Sequence, residues 1–105
     1  MERRFPACIM ATAVVPWTDE YALDEGLFRD EISSLLAAGY SHLYIFGTAG
    51  EGYAVDDGQF EQIARVFCAE MRAGKAEPMV GVISLAQETI LRRIAWARRV
   101  HRGRI

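Results

Sequence analysis

The residues of this 105-residue chain with the clearest capacity for chemistry lie in one short stretch, Gly47-Thr48-Ala49-Gly50-Glu51-Gly52. It follows the apolar run SHLYIFG (41–47), so it falls at the carboxyl end of an expected strand. Glycines there let the backbone approach a ligand closely, and successive N–H groups in such a turn form an anion-binding concavity. Thr48 adds a hydroxyl and Glu51 a carboxylate. The order is GxxGxG, not the GxGxxG of dinucleotide sites, and no GK[ST] follows as in a P-loop. The functional reading is a cradle for a small carboxylate or phosphate; the simpler one is a structural turn leading into a helix. Glu51 either acts as an acid/base or, more simply, receives backbone N–H groups and fixes the loop shape.

Other reactive side chains are scattered. Lys75 is the only lysine and precedes the third apolar run. His42 has no Cys, His or carboxylate partner at ligand spacing, so no metal is expected. Cys8 and Cys68 each sit in apolar company and read as two reduced, buried thiols of a cytosolic protein. Tyr44 and Tyr53 flank the glycine turn and Trp17 follows Pro16; each could wall a pocket or pack. Arg92, Arg93, Arg98, Arg99, Arg102 and Arg104 are six of the 12 basic residues, and no acid follows Glu88. Such a helix could meet nucleic acid or an acidic partner, but a net charge of -2 gives the whole molecule no attraction to either nucleic acid or an anionic membrane.

Three β-rich apolar runs would position the turn: ACIMATAVV (7–15), SHLYIFG (41–47) and PMVGVIS (78–84). They lack polar alternation, as strands covered on both faces do. Between them the spacing is helical. Phe28, Ile32, Leu35 and Leu36 recur on one face, and Gly39 stands where that helix would stop. Asp56 and Gln59 have capping-box spacing ahead of Phe60, Ile63, Ala64, Phe67 and Met71, and Gly74 ends the run. Ser84 and Gln87 repeat the cap signal before Ile90, Leu91, Ile94, Ala95 and Ala97. The order βαβαβα demands parallel strands joined by helical crossovers.

At 51% hydrophobic and 25% charged residues the composition is that of one globular unit. No apolar run reaches the roughly 18–20 residues of a membrane span. The start MERRFPACIMATAVV imitates a secretory signal, but Pro6 and the absence of Leu argue against one. A parallel sheet needs both faces covered, and three helices cover only one. The chain therefore reads as part of something larger, with Ile9, Val14, Ile45 and Val82 left open in some combination.

The turn, its flanks and their order resemble the pyruvate-dependent aldolases that include dihydrodipicolinate synthase and N-acetylneuraminate lyase. The family pattern G-[ST]-T-G-E matches Gly47-Thr48-Ala49-Gly50-Glu51. VVPWTDEYALDEGLF resembles the family's first loop, and EPMVGVISLAQETI its third strand and cap. The resemblance spans residues 7–100 and implies the first three βα units of a (β/α)₈ TIM barrel, with residues 1–105 a single partial domain stopping before a fourth strand. It implies a Schiff-base-forming keto-acid aldolase or lyase with no cofactor, a pyruvate-like substrate and a homo-oligomeric full-length protein. Gly47, Thr48, Ala49 and Gly50 would hold the substrate carboxylate, with Thr48 also the proton-relay hydroxyl. Two departures stand out. Ala49 replaces the usual threonine, and Lys75 matches no catalytic position, so this chain alone is expected to be inactive. The alternatives are a small anion-binding α/β module and a non-functional gene fragment.

Overall fold

The computed structural model describes residues 7–100. The signal-like start before Ala7, Arg102, Arg104 and the HRGRI tail lie outside them. Three short strands, β1 (Met10–Thr12), β2 (His42–Ile45) and β3 (Glu77–Val80), alternate with α1 (Glu25–Ala37), α2 (Asp57–Ala73) and α3 (Gln87–Val100). The sheet is parallel in the order β1-β2-β3. Each strand is shorter than its apolar run, and the pairing of β1 begins at Met10.

Register explains the burial. Ala11 pairs with Leu43 and Leu43 with Pro78, while Ile45 pairs with Val80. Leu43, Ile45 and Val80 join Phe28, Ile32, Phe60, Ile63, Phe67 and Trp96 in one core. The alternate positions Met10, Thr12, His42, Tyr44 and Met79 are only half-buried on the opposite face. Of the side chains expected to stay open, Ile9 and Val14 are exposed and Val82 is half-buried against the core. Ile45 is fully buried, because its register puts it on the helix side.

The helices follow their signals unevenly. Asp24 caps α1 through its carboxylate to the Leu27 N–H at 3.1 Å, and Gly39 beyond its end takes φ +102°. The α2 capping box is complete: Gln59 N–H donates to Asp56 Oδ1 at 2.7 Å and Asp56 N–H to Gln59 Oε1 at 3.0 Å. All five apolar positions expected on α2 are buried. Gly74 ends that helix without a positive φ; a β-carbon there would meet Leu36 Cδ1 at 2.6 Å, so the Leu36 side chain of α1 would have to shift to admit one.

The start of α3 differs from expectation. Ser84 is no N-cap: its hydroxyl accepts from Ala86 N–H at 3.1 Å, and the helix begins at Gln87. Its buried face is Arg93, Trp96 and Ala97, whereas Leu91 is exposed. Arg93 can be buried because Val55 O and the Asp57 carboxylate accept its N–H groups at 2.8 and 3.1 Å, and its guanidinium lies 5.0 Å from the Phe60 ring centre. Cys68 is buried as expected, but Cys8 is exposed, since residues 7–9 precede the first paired position of β1.

Candidate anion-binding site

The glycine turn begins one residue after β2. Phe46 adopts φ +65°, a left-handed conformation that costs a bulky residue roughly 1–2 kcal/mol. Strand alternation would send Phe46 to the face opposite Ile45. The left-handed kink leaves both fully buried instead, with the Phe46 ring stacked on Phe60 of α2 at 5.2 Å between centres. Two glycines make this possible. A β-carbon on Gly52 would lie 2.6 Å from the Phe46 carbonyl carbon, and one on Gly81 2.6 Å from its oxygen.

The turn itself is closed by three backbone bonds. Glu51 N–H donates to Thr48 O and Gly52 N–H to Gly47 O, both at 3.1 Å, and Ala54 N–H donates to Glu51 O at 2.9 Å. A 3₁₀ turn over Gly52–Ala54 then leads to the α2 cap. Among the described residues, nothing accepts from the N–H groups of Thr48, Ala49 and Gly50. These are the leading N–H groups of a helical turn, which have no partner within it. Thr48 and Ala49 are exposed, while Gly50 is buried against Ala13 O. The arrangement offers successive donors to an anion arriving at the carboxyl end of the sheet.

The neighbours of the turn fall into place. Tyr44 folds against it: a β-carbon on Gly47 would lie 2.6 Å from Tyr44 Cε2. Tyr53 is exposed. Thr12, paired with Tyr44 in register, has a buried hydroxyl oxygen without a partner among the described residues. On β1's continuation, Val14 N–H donates to the Glu31 carboxylate at 2.7 Å; burial pushes the Glu31 pKa up against the opposing pull of that bond. Glu51 does not fix the loop through its carboxylate, which is exposed and receives no hydrogen bond among the described residues. Its backbone does so, at φ +57°. Lys75 is exposed in the α2–β3 loop at the amino end of β3, and parallel strands put that at the opposite end of the sheet from the turn. His42 joins no cluster of metal-ligating side chains among the described residues. The Phe46 kink has no signal in the sequence beyond the glycines at 52 and 81.

No family profile matches the sequence, and no curated protein does. Solved structures match the fold. A pyruvate-bound prophage protein of the dihydrodipicolinic acid synthase family from E. coli K12 superposes with a TM-score of 0.81 at 17% identity, over 88% of this chain and 31% of that one. Dihydrodipicolinate synthase from Rhodopseudomonas palustris gives 0.80 at 19% identity, over 91% and 31%. Proteus mirabilis N-acetylneuraminate lyase gives 0.74 at 18% identity, over 83% and 30%. The chain thus spans about 30% of the length of the solved structures it matches, and its three βα units have the fold of the start of a TIM barrel.

Proposed function

We propose that the chain is the N-terminal part of a Schiff-base-forming keto-acid aldolase or lyase resembling dihydrodipicolinate synthase. In this reading Gly47, Thr48, Ala49 and Gly50 receive the carboxylate of a pyruvate-like substrate, and Thr48 Oγ1 belongs to the proton relay. The lysine that forms the imine lies outside this sequence, and the complete enzyme is a cytosolic homo-oligomer. One observation carries the proposal: the unpartnered N–H groups of Thr48, Ala49 and Gly50 sit where a barrel presents its ligands, at the carboxyl end of a parallel strand. The fold likeness to lyases supports it. Because Lys75 is the sole lysine and lies at the far end, this chain by itself binds the carboxylate without covalent chemistry.

The experiment is a pyruvate titration of the chain followed by borohydride. Amide resonances of residues 48–50 should shift in a saturable way, and mass spectrometry should find no adduct. An adduct that disappears in Lys75→Ala, or saturable shifts elsewhere and none at 48–50, would overturn the assignment.

A further inference from the structure

Beside the glycine turn, and including none of Gly47–Gly50, lies a cavity of about 270 Å³ lined by Trp17, Thr18, Tyr21, Glu51, Ala54 and Gln59. Two of these residues stand on left-handed backbone, Tyr21 at φ +61° and Glu51 at φ +57°. That conformation is costly for side chains of their size and concentrates at ligand sites. The loop holds Tyr21 there firmly. Thr18 N–H donates to Ala22 O at 2.8 Å, Tyr21 N–H to Thr18 O at 3.0 Å and Ala22 N–H to Thr18 Oγ1 at 3.1 Å. A Trp17–Leu23 bridge closes the base, and Gln59 Nε2 reaches Tyr21 O at 3.5 Å. Yet Tyr21 is 81% exposed, so no core contact offsets the strain.

The polar lining is unevenly committed. Gln59 uses its oxygen on the α2 cap and its nitrogen on Tyr21 O. The Thr18 hydroxyl already accepts from Ala22. Glu51 alone keeps a carboxylate without a hydrogen bond among the described residues. Among the described residues no Lys or Arg lines the cavity, and Asp19 and Glu20 add exposed negative charge in the same loop. One free carboxylate beside an indole and a phenol repels anions and favours a cation that can lie on aromatic faces. We infer that this cavity binds a small organic ammonium ion, with Glu51 opposing its charge and Trp17 and Tyr21 contacting its carbon substituents. The volume is just below the roughly 300–1,000 Å³ of drug-sized pockets, which suits a ligand of few heavy atoms.

The test is a titration of the chain with choline chloride against sodium chloride at matched ionic strength, with glycerol as the neutral polyol arm. The Trp17 indole N–H resonance reports binding, and that of Trp96 serves as internal reference and as a check on the fold. Choline should shift Trp17 and Tyr21 saturably, leave Trp96 and residues 48–50 unmoved, and bind roughly five-fold more weakly to Glu51→Gln and to Tyr21→Ala, the scale of an exposed cation–π contact or ion pair. Both residues are exposed, so the variants keep their core. Absence of saturation, equal affinity in both variants, or saturable glycerol binding that competes with choline would overturn the proposal. It stands apart from the keto-acid reading, whose reporters are the amides of residues 48–50.

Discussion

Gly52 packs directly on the backbone of Phe46, so closely that a β-carbon would lie 2.6 Å from the Phe46 carbonyl carbon. Backbone cannot move aside as a flexible side chain can. Gly52→Ala should therefore destabilise the chain by roughly 2–3 kcal/mol, the upper range of overpacking in a filled core. Gly81→Ala, which meets the Phe46 oxygen at 2.6 Å, should behave alike. Gly58→Ala is the contrast: it lies in the first turn of α2 with only Asp56 Oδ1 near, at 3.5 Å, and should stabilise by up to about 1 kcal/mol. Urea unfolding of the three variants gives the order. Equal stability of Gly52→Ala and wild type would refute this account of the turn.

Asp57, in the first turn of α2, ties that helix to α3 by accepting from Arg92 Nη2 at 2.8 Å and Arg93 Nε at 3.1 Å. Those bonds, Arg92 first, hold its pKa below the ordinary carboxylate value. A depressed folded pKa stabilises above the unfolded value of about 3.9, and that contribution is lost as pH falls through the folded pKa. Asp57 is partly exposed, so solvent screening limits Asp57→Asn to a loss of about 1 kcal/mol at pH 7. The variant and wild type should converge as pH falls through the depressed folded pKa of Asp57. Glu31 has the opposite sign. Its raised pKa means that ionisation opposes folding at neutral pH, so Glu31→Gln should unfold at equal or higher urea at pH 7.

The two thiols should separate cleanly. Cys8 is exposed, whereas Cys68 is buried and its pKa is pushed up to about 11 by that burial. A thiol reagent at pH 8 should modify one equivalent quickly and the second only on unfolding, because the thiolate is the reactive form. Rapid loss of both under native conditions would mean that α2 opens on the timescale of the reaction.

If the turn serves a keto-acid enzyme, its two variable side chains have different duties. In a full-length enzyme carrying these residues, Thr48→Val should lower turnover by roughly 10² or more, as loss of a proton-transfer group does. Ala49→Thr adds a hydroxyl donor where the resembled family pattern would place one, and should lower KM more than it changes kcat. Steady-state kinetics on both variants checks this. Unchanged turnover in Thr48→Val would remove Thr48 from the relay.

Much of the fold is legible in the sequence. The α2 face and its capping box are set by local spacing, and the parallel order follows from strands alternating with helices. What could not be read depends on partners distant in sequence. Arg93 is charged and would be placed on the solvent face, yet Val55 O and Asp57 make its burial possible. Ser84 and Gln87 have the spacing of a cap, but the hydroxyl closes its own turn to Ala86. Ile45 and Phe46 are adjacent in sequence and both are fully buried, because a left-handed residue ends β2. Cys8 has apolar neighbours in sequence but no strand partner in space. At the site the composition of the turn was visible and its free N–H groups were not, since those depend on which carbonyls the turn closes on.

The strand order repeats the order of synthesis: among the described residues β1 pairs with β2, and β2 also with β3. As the chain leaves the ribosome, β2 and then β3 each find the strand they pair with already made. The loops to be closed span one helix each, which keeps the entropic cost of every step small. Assembly can proceed vectorially, and a force applied from the carboxyl end should peel α3 and β3 away before it disturbs the pairing of β1 with β2.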